Sequence, residues 1–364
     1  MKAIRGFPTT TLSLLAASLA CLAPGARAAT NWWDGDGLAS NNWTTLASWD
    51  LAADGSGGNP LAAPGASDTV VFNTSIFNSD AVVALSAAQS VGGLVFNNTG
   101  TTGLRTTGAN RALTIGAGGI LINEGAGLVT FGTGTASYRM TFTLAGSQSW
   151  INNSANAMVY NARSTLTMAG FTLTFDGTGD STFSATMQST GSGAVTKEGS
   201  GVLTLSGTNT YTGPFTLNDG RVRLAGAQGN LGAGTVVLNG GTLSGNKATT
   251  ARTLANAFTL GGNVTLGHAT DSALMTLAGA GTLTASRTVT VDSTVVISGA
   301  LGDDGNSYTL TKAGTGMLTL SGANSYGGGT QVDAGTLVVA NLAALPISGT
   351  VNVGAGAVLA LGVN

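Results

Sequence analysis

Histidine occurs once in the 364 residues, at position 268, so any serine–histidine–aspartate relay would have to be built on it. His268 sits in Leu266-Gly267-His268-Ala269, which reads as an exposed turn after a strand, with no partner to orient the imidazole. Carboxylates are the next candidates, because paired acids on one outward face cleave glycosidic bonds. After residue 80 they are sparse: Glu124, Asp176, Asp180, Glu198, Asp219, Asp271, Asp292, Asp303, Asp304 and Asp333. Most stand beside Gly or Asn, where Asp stabilises a turn. Asp303-Asp304-Gly305-Asn306 is the densest acidic spot and the one place to test for calcium. Asp34-Gly35-Asp36-Gly37 hints at a calcium loop but lacks the spaced later ligands, so a solvated turn is the simpler reading. Gly116-Ala117-Gly118-Gly119 lacks the lysine and following helix of a phosphate loop. The expectation is no catalytic residue, no cofactor and no metal site.

The elements that would have to position such groups are short strands. From Asp68 onward, apolar runs recur: Val70-Phe72, Val82-Leu85, Leu94-Phe96, Leu113-Ile115, Ile120-Ile122 and Leu128-Phe131. Gly, Asn and Thr separate them at roughly 7–12 residues, a spacing typical of all-β folds. The pattern continues through Met140-Leu144, Leu166-Met168, Phe171-Phe175 and Phe183-Met187 without a convincing helical period.

One stretch then returns. Residues 197–225 read KEGSGVLTLSGTNTYTGPFTLNDGRVRLA and residues 312–340 read KAGTGMLTLSGANSYGGGTQVDAGTLVVA. They align without a gap at an offset of 115, with 13 of 29 positions identical. Long periodicity built from strand–turn units marks a solenoid, in which each unit buries its apolar face only against its neighbours. Alternation predicts Leu203, Leu205, Leu318 and Leu320 inward, with Thr204 and Thr319 outward. The bounding glycines are expected to supply backbone angles that a Cβ would strain. Asn209 is placed in a bend where its amide meets turn backbone or a neighbouring Asn.

Lys197-x-Gly-x-Gly-x-Leu-Thr-Leu-Ser-Gly-x-Asn-x-Tyr-x-Gly213, and the fuller copy from Lys312 to Gly335, resemble the autotransporter-associated β-strand repeat, also called the passenger-associated transport repeat. The resemblance implies a right-handed, single-stranded parallel β-helix exported to, or beyond, a Gram-negative type of outer membrane. It implies an outer-membrane translocation machinery or barrel as partner, no barrel being present in this chain; it does not imply an enzyme activity, because the repeat recurs beneath passengers of many functions.

Composition agrees with an all-β chain. There are 57 Gly, 43% of residues are hydrophobic, and only 8% are charged, against about a quarter in ordinary globular proteins. The formal charge of −2 offers no basic stripe for nucleic acid. Residues 1–28 read as a secretory signal: Lys2 and Arg5, an apolar stretch from Leu12 to Ala23, and Ala26-Arg27-Ala28 before the cut. The expected location is extracellular or at the cell surface after Sec export. Cleavage would remove Cys21, the only cysteine, and with it all thiol chemistry. Residues 29–80 hold four of five tryptophans, Trp32, Trp33, Trp43 and Trp49. They read as an aromatic cap sealing the solenoid's first rung, with a platform for a surface polysaccharide as the alternative. Residues 81–364 read as one β-helix. Its end, Leu359-Ala360-Leu361-Gly362-Val363-Asn364, still follows the strand pattern. That suggests either a longer reading frame with further coils and a sorting segment, or end-to-end association through an exposed rung. The function expected is a structural or adhesive display scaffold; the alternative is a carbohydrate-binding or polysaccharide-degrading β-helix.

Overall fold

The computed structural model describes residues 28–33, 42–73, 81–132, 138–225, 230–246 and 250–362. Most of the expected signal segment and Asp34-Gly35-Asp36-Gly37 fall outside the described residues. The chain is an all-β solenoid of about 12 turns. The described strands form sheets of 16, 13 and 6 strands, nearly all paired in parallel with the coil before and the coil after. Among the described residues, no helix is long and apolar enough to cross a membrane.

A coil passes the first sheet, then the second, then a third face. Leu173–Asp176, Ser181–Phe183 and Thr186–Gln188 trace one such pass. The register holds side chains of one kind in line: Phe175 with Trp150, Phe183 with Tyr160, Leu205 with Phe183. The recurring strand has three residues with the outer two buried and the middle one outward, the shortest segment that keeps a two-residue period. The interior between residues 131 and 183 is a stack of rings in edge-to-face and offset contacts, including Trp150, Tyr160 and Phe183. Leu203, Leu205, Leu318 and Leu320 all point into this core with no exposed surface.

Two apolar runs that read as separate, Leu113-Ile115 and Ile120-Ile122, belong to one strand, Arg111–Ile122, which turns a corner while still paired. Conversely, the run from Phe183 to Met187 is split between Ser181–Phe183 and Thr186–Gln188. Alternation fixes which face a residue takes but not where a strand bends.

At the N-terminal end, Thr30–Trp33 pairs in parallel with Thr69–Phe72 on one side. On its other side the short antiparallel strand Trp49–Asp50 covers it. Trp33, Trp43 and Trp49 are buried, with Trp33–Trp49 and Trp43–Trp49 ring centroids 4.8 and 5.0 Å apart, edge to face. The aromatics therefore close the first rung, and of the described tryptophans here only Trp32 keeps part of its surface for a sugar ring. At the other end, Val351–Val353 and Val358–Leu361 pair with preceding coils, and Val351, Val353, Val358 and Leu361 are exposed.

Candidate functional site

The repeated stretch carries a structural device that its spelling conceals. In Val195–Lys197 and Leu310–Ala313 the motif lysine follows an inward residue by two, so alternation turns it into the core. Lys197 is 3% exposed and Lys312 0%. A buried ammonium needs acceptors. Lys312 Nζ donates to the carbonyls of Ala313, Gly314 and Ala334 at 2.8, 2.7 and 2.9 Å. Lys197 Nζ donates to Gly199 O at 2.5 Å and, closer still, to Glu198 O. Burial lowers the pKa of both lysines, and nearby carboxylates, led by Asp219 for Lys197 and by Asp292 for Lys312, oppose that shift.

Glycines shape the cage. Gly199 and Gly314 carry positive φ (61° and 74°), which turns their carbonyls onto the ammonium. A Cβ on Gly220 or Gly335 would lie 2.8 or 2.9 Å from the same Nζ. The glycines bounding the central strand have a different task from the one expected. Gly201 and Gly207 do not have positive φ; a Cβ there would lie 2.2 Å from Gly179 O and 1.8 Å from Ala185 O of the coil below. Close stacking, not dihedral strain, excludes a side chain.

Asn209 and Asn324 tie three coils together. Asn209 Oδ1 accepts from Met187 N of the preceding coil at 3.0 Å, and its Nδ2 donates to Asn230 O of the next at 2.7 Å. Asn324 does the same with Leu301 N at 2.8 Å and Ala344 O at 2.6 Å. Tyr211 and Tyr326, two residues on, are wholly buried.

The carboxylates expected in solvated turns are not all there. Asp271 is buried and forms an ion pair with Arg221, 50 residues earlier. Arg221 lies flat on the outer face of the second sheet, its Nε donating to Ser244 Oγ at 3.1 Å. It thereby holds down the loop that follows Val264–Leu266. His268 stands in that loop half-buried rather than exposed. Its Nδ1 accepts the Thr270 N–H at 3.3 Å, which assigns the ring proton to Nε2. Burial and then Arg221 lower its pKa, partly opposed by Asp292, so the ring is neutral at neutral pH.

Between this loop and the corner at Asp219 runs a groove of about 550 Å³ on the second sheet, lined by Ser200, Asp219, Arg221, Thr242, Thr265 and His268 among others. A larger hollow of about 910 Å³ lies over Asn123, Glu124 and residues 153–156. Its polar groups are largely spent on structure: Asn123 Nδ2 on Asn97, Ser154 Oγ and Asn156 Nδ2 on Ala126 O.

Asp303 also departs from expectation. It is buried, and its Oδ2 accepts from Gly327 N at 2.8 Å and Tyr308 N at 3.0 Å, clasping one turn to the next coil. Burial pushes its carboxyl up, but the N–H groups of Gly327, Tyr308 and Gly305 outweigh that and hold it below the usual range. Oδ2 is thus engaged in holding the turn. Among the described residues, no three His, Cys, Asp or Glu side chains converge as a metal site.

Sequence reasoning missed the caged lysines and the Arg221–Asp271 pair. The lysines had a signal, since Val195-Thr196-Lys197 and Leu310-Thr311-Lys312 put the third residue on the core face. The ion pair had none, because nothing local links residues two coils apart.

The family profile described as passenger-associated-transport-repeat matches residues 195–224 and 310–339. No curated protein and no solved structure matches the chain. The matched segments coincide with the two strand–corner–strand units that carry the lysine cages and asparagine ties. The chain is thus a β-solenoid with two passenger-associated transport repeats, an architecture that fits the scaffold of an autotransporter passenger.

Proposed function

We propose that the chain is an exported, surface-displayed scaffold with an adhesive rather than catalytic role. The observation carrying this reading is the pair of repeats embedded in an uninterrupted parallel ladder, which builds a long, stiff rod from short-range contacts alone. Residues 1–28 serve as the Sec-dependent signal, residues 29–80 as the cap, and residues 81–364 as the rod, handed across the outer membrane by a translocation barrel. Low charge and the absence of cysteine after residue 21 suit a chain that crosses two membranes before it folds.

Labelling of intact cells that produce the complete reading frame tests the display. Antibody against the solenoid should bind without permeabilisation. Binding only after the outer membrane is opened would defeat the reading. Catalytic silence has its own test: if a hydrolase activity is found and His268→Ala abolishes it, the scaffold is an enzyme.

A further inference from the structure

We propose that the groove on the second sheet between Asp219 and His268 is a binding site for an uncharged glycan chain. The first argument is unspent hydrogen-bonding capacity. Among the described residues, the hydroxyls of Ser200, Thr242, Thr265 and Thr290, the Nε2–H of His268 and the Nδ2 of Asn263 have no protein partner. Asp219 spends Oδ1 on its own turn, accepting from Gly220 N at 2.6 Å, and leaves Oδ2 to the groove. Donors and acceptors are therefore mixed along one concave strip, the demand that sugar hydroxyls make. The larger hollow near Asn123 meets this criterion less well, the amides of Asn123 and Asn156 being committed to neighbouring coils.

Charge supplies the second argument. Among the described residues, Arg221 is the one cation lining the groove, and Asp271 neutralises it. Asp219 remains, facing the buried Lys197. Among the described residues that line the groove, no uncompensated positive charge is left to favour an anionic polymer, and the imidazole is neutral.

Geometry supplies the third. Thr242, Thr265 and Thr290 are register partners on three successive coils, so their hydroxyls form a column parallel to the solenoid axis. Coils repeat at about 4.8 Å, comparable to the length of one pyranose unit, so a linear glycan can present a hydroxyl to each coil. The walls are fixed: Arg221 pins the His268 loop through Asp271, and Gly220 and Gly241 line the opposite side without side chains. The site gives the rod a ligand and stands whether or not the rod is displayed on a cell.

Binding of the purified chain to neutral linear hexasaccharides (α-glucan, β-glucan, β-mannan and β-xylan) is measured by isothermal titration, with hexagalacturonate as the anionic probe. At least one neutral probe should bind more tightly than hexagalacturonate. His268→Ala and Asp219→Ala should each weaken it about fivefold to tenfold, the loss of one or two hydrogen bonds. Thr265→Trp, which fills the outward column without touching the core, should abolish binding while the thermal midpoint stays within a few degrees. If Thr265→Trp fails to fold, Thr290→Arg serves the same purpose one coil away. Failure of every neutral probe, preference for hexagalacturonate, or binding that survives obstruction of the column overturns the assignment. None of these outcomes bears on display at the cell surface.

Discussion

Lys197 and Lys312 stand at the same step of the same motif, yet the first lies on the first sheet and the second on the second sheet. The first-sheet strands beginning at 195, 215, 236, 258, 281 and 301 count five full coils, and the next strand, Leu310–Ala313, lies one face further on. An offset of 115 residues is therefore not a whole number of turns. The second copy is rotated by one face about the axis. In the first copy the polar corner around Asn209 and Tyr211 takes the third-face position, between Thr186–Gln188 in the coil before and Arg252–Leu254 two coils later. In the second, the corner around Asn324 and Tyr326 takes the first-face position, and no described strand follows Leu301–Gly302 in that sheet. The motif is thus a portable unit of two strands, a corner and two more strands, indifferent to which face receives it. A unit that contacts only its neighbours above and below has no reason to prefer one face.

The rotation leaves the leucines equivalent. Leu205→Ala and Leu320→Ala should each cost about 2–5 kcal/mol, as buried large-to-small changes do, and chemical denaturation should give similar values. A difference of several kcal/mol between them would mean that the faces are not interchangeable after all.

The cages are less alike. Lys312 satisfies three carbonyls and Lys197 two, with acids on more sides. Lys312→Met leaves those carbonyls buried without donors, at about 1–3 kcal/mol for such groups, and should be the more damaging of the two methionine variants. Equal or absent effects would remove the cage from any account of stability. The pH dependence has a definite sign. Each folded lysine has a pKa below the ordinary 10.5, so the unfolded chain binds more protons in the window between the two values. Stability should rise with pH across that window, and Lys312→Met should flatten the rise in thermal midpoints.

The tyrosines should respond with opposite signs. Tyr326 Oη lies 2.7 Å from Thr330 Oγ1. The residue matching Thr330 in the first copy is Phe215, and Tyr211 Oη is buried without a partner. Tyr326→Phe should cost about 1 kcal/mol, whereas Tyr211→Phe should be neutral or stabilising, because an unsatisfied hydroxyl is removed. Destabilisation of both by the same amount would show that the hydroxyl of Tyr211 has a partner in solution.

The smallest contrast is between Thr204 and Thr319. Both face outward, but Thr204 lies between Thr182 and Arg223 in the ladder and is only 6% exposed, while Thr319 is half-buried between Val296 and Val338. Thr204→Ala should therefore cost more than Thr319→Ala, with both below about 1 kcal/mol. Thr204 points outward as expected and is still covered, because the long side chain of Arg223 stands next to it in the ladder.

The alternation of apolar and small polar residues, punctuated by Gly and Asn, was enough to determine strands, inward leucines, a repeating unit and a solenoid. These depend on contacts within a few residues or with a copy of the same pattern. The asparagine ties were legible for the same reason, since a turn amide stacked on similar turns has few other partners. What only the tertiary structure decided is everything that depends on how many residues each coil consumes. Coil length varies with bends such as the one inside Arg111–Ile122, and small differences accumulate along the axis. Hence the one-face rotation of the second repeat, the meeting of Arg221 with Asp271, and the groove that brings His268 opposite Asp219 could not be read from spacing. Periodicity fixes the side of the strand on which a residue lies; the summed length of every intervening turn fixes what lies beside it.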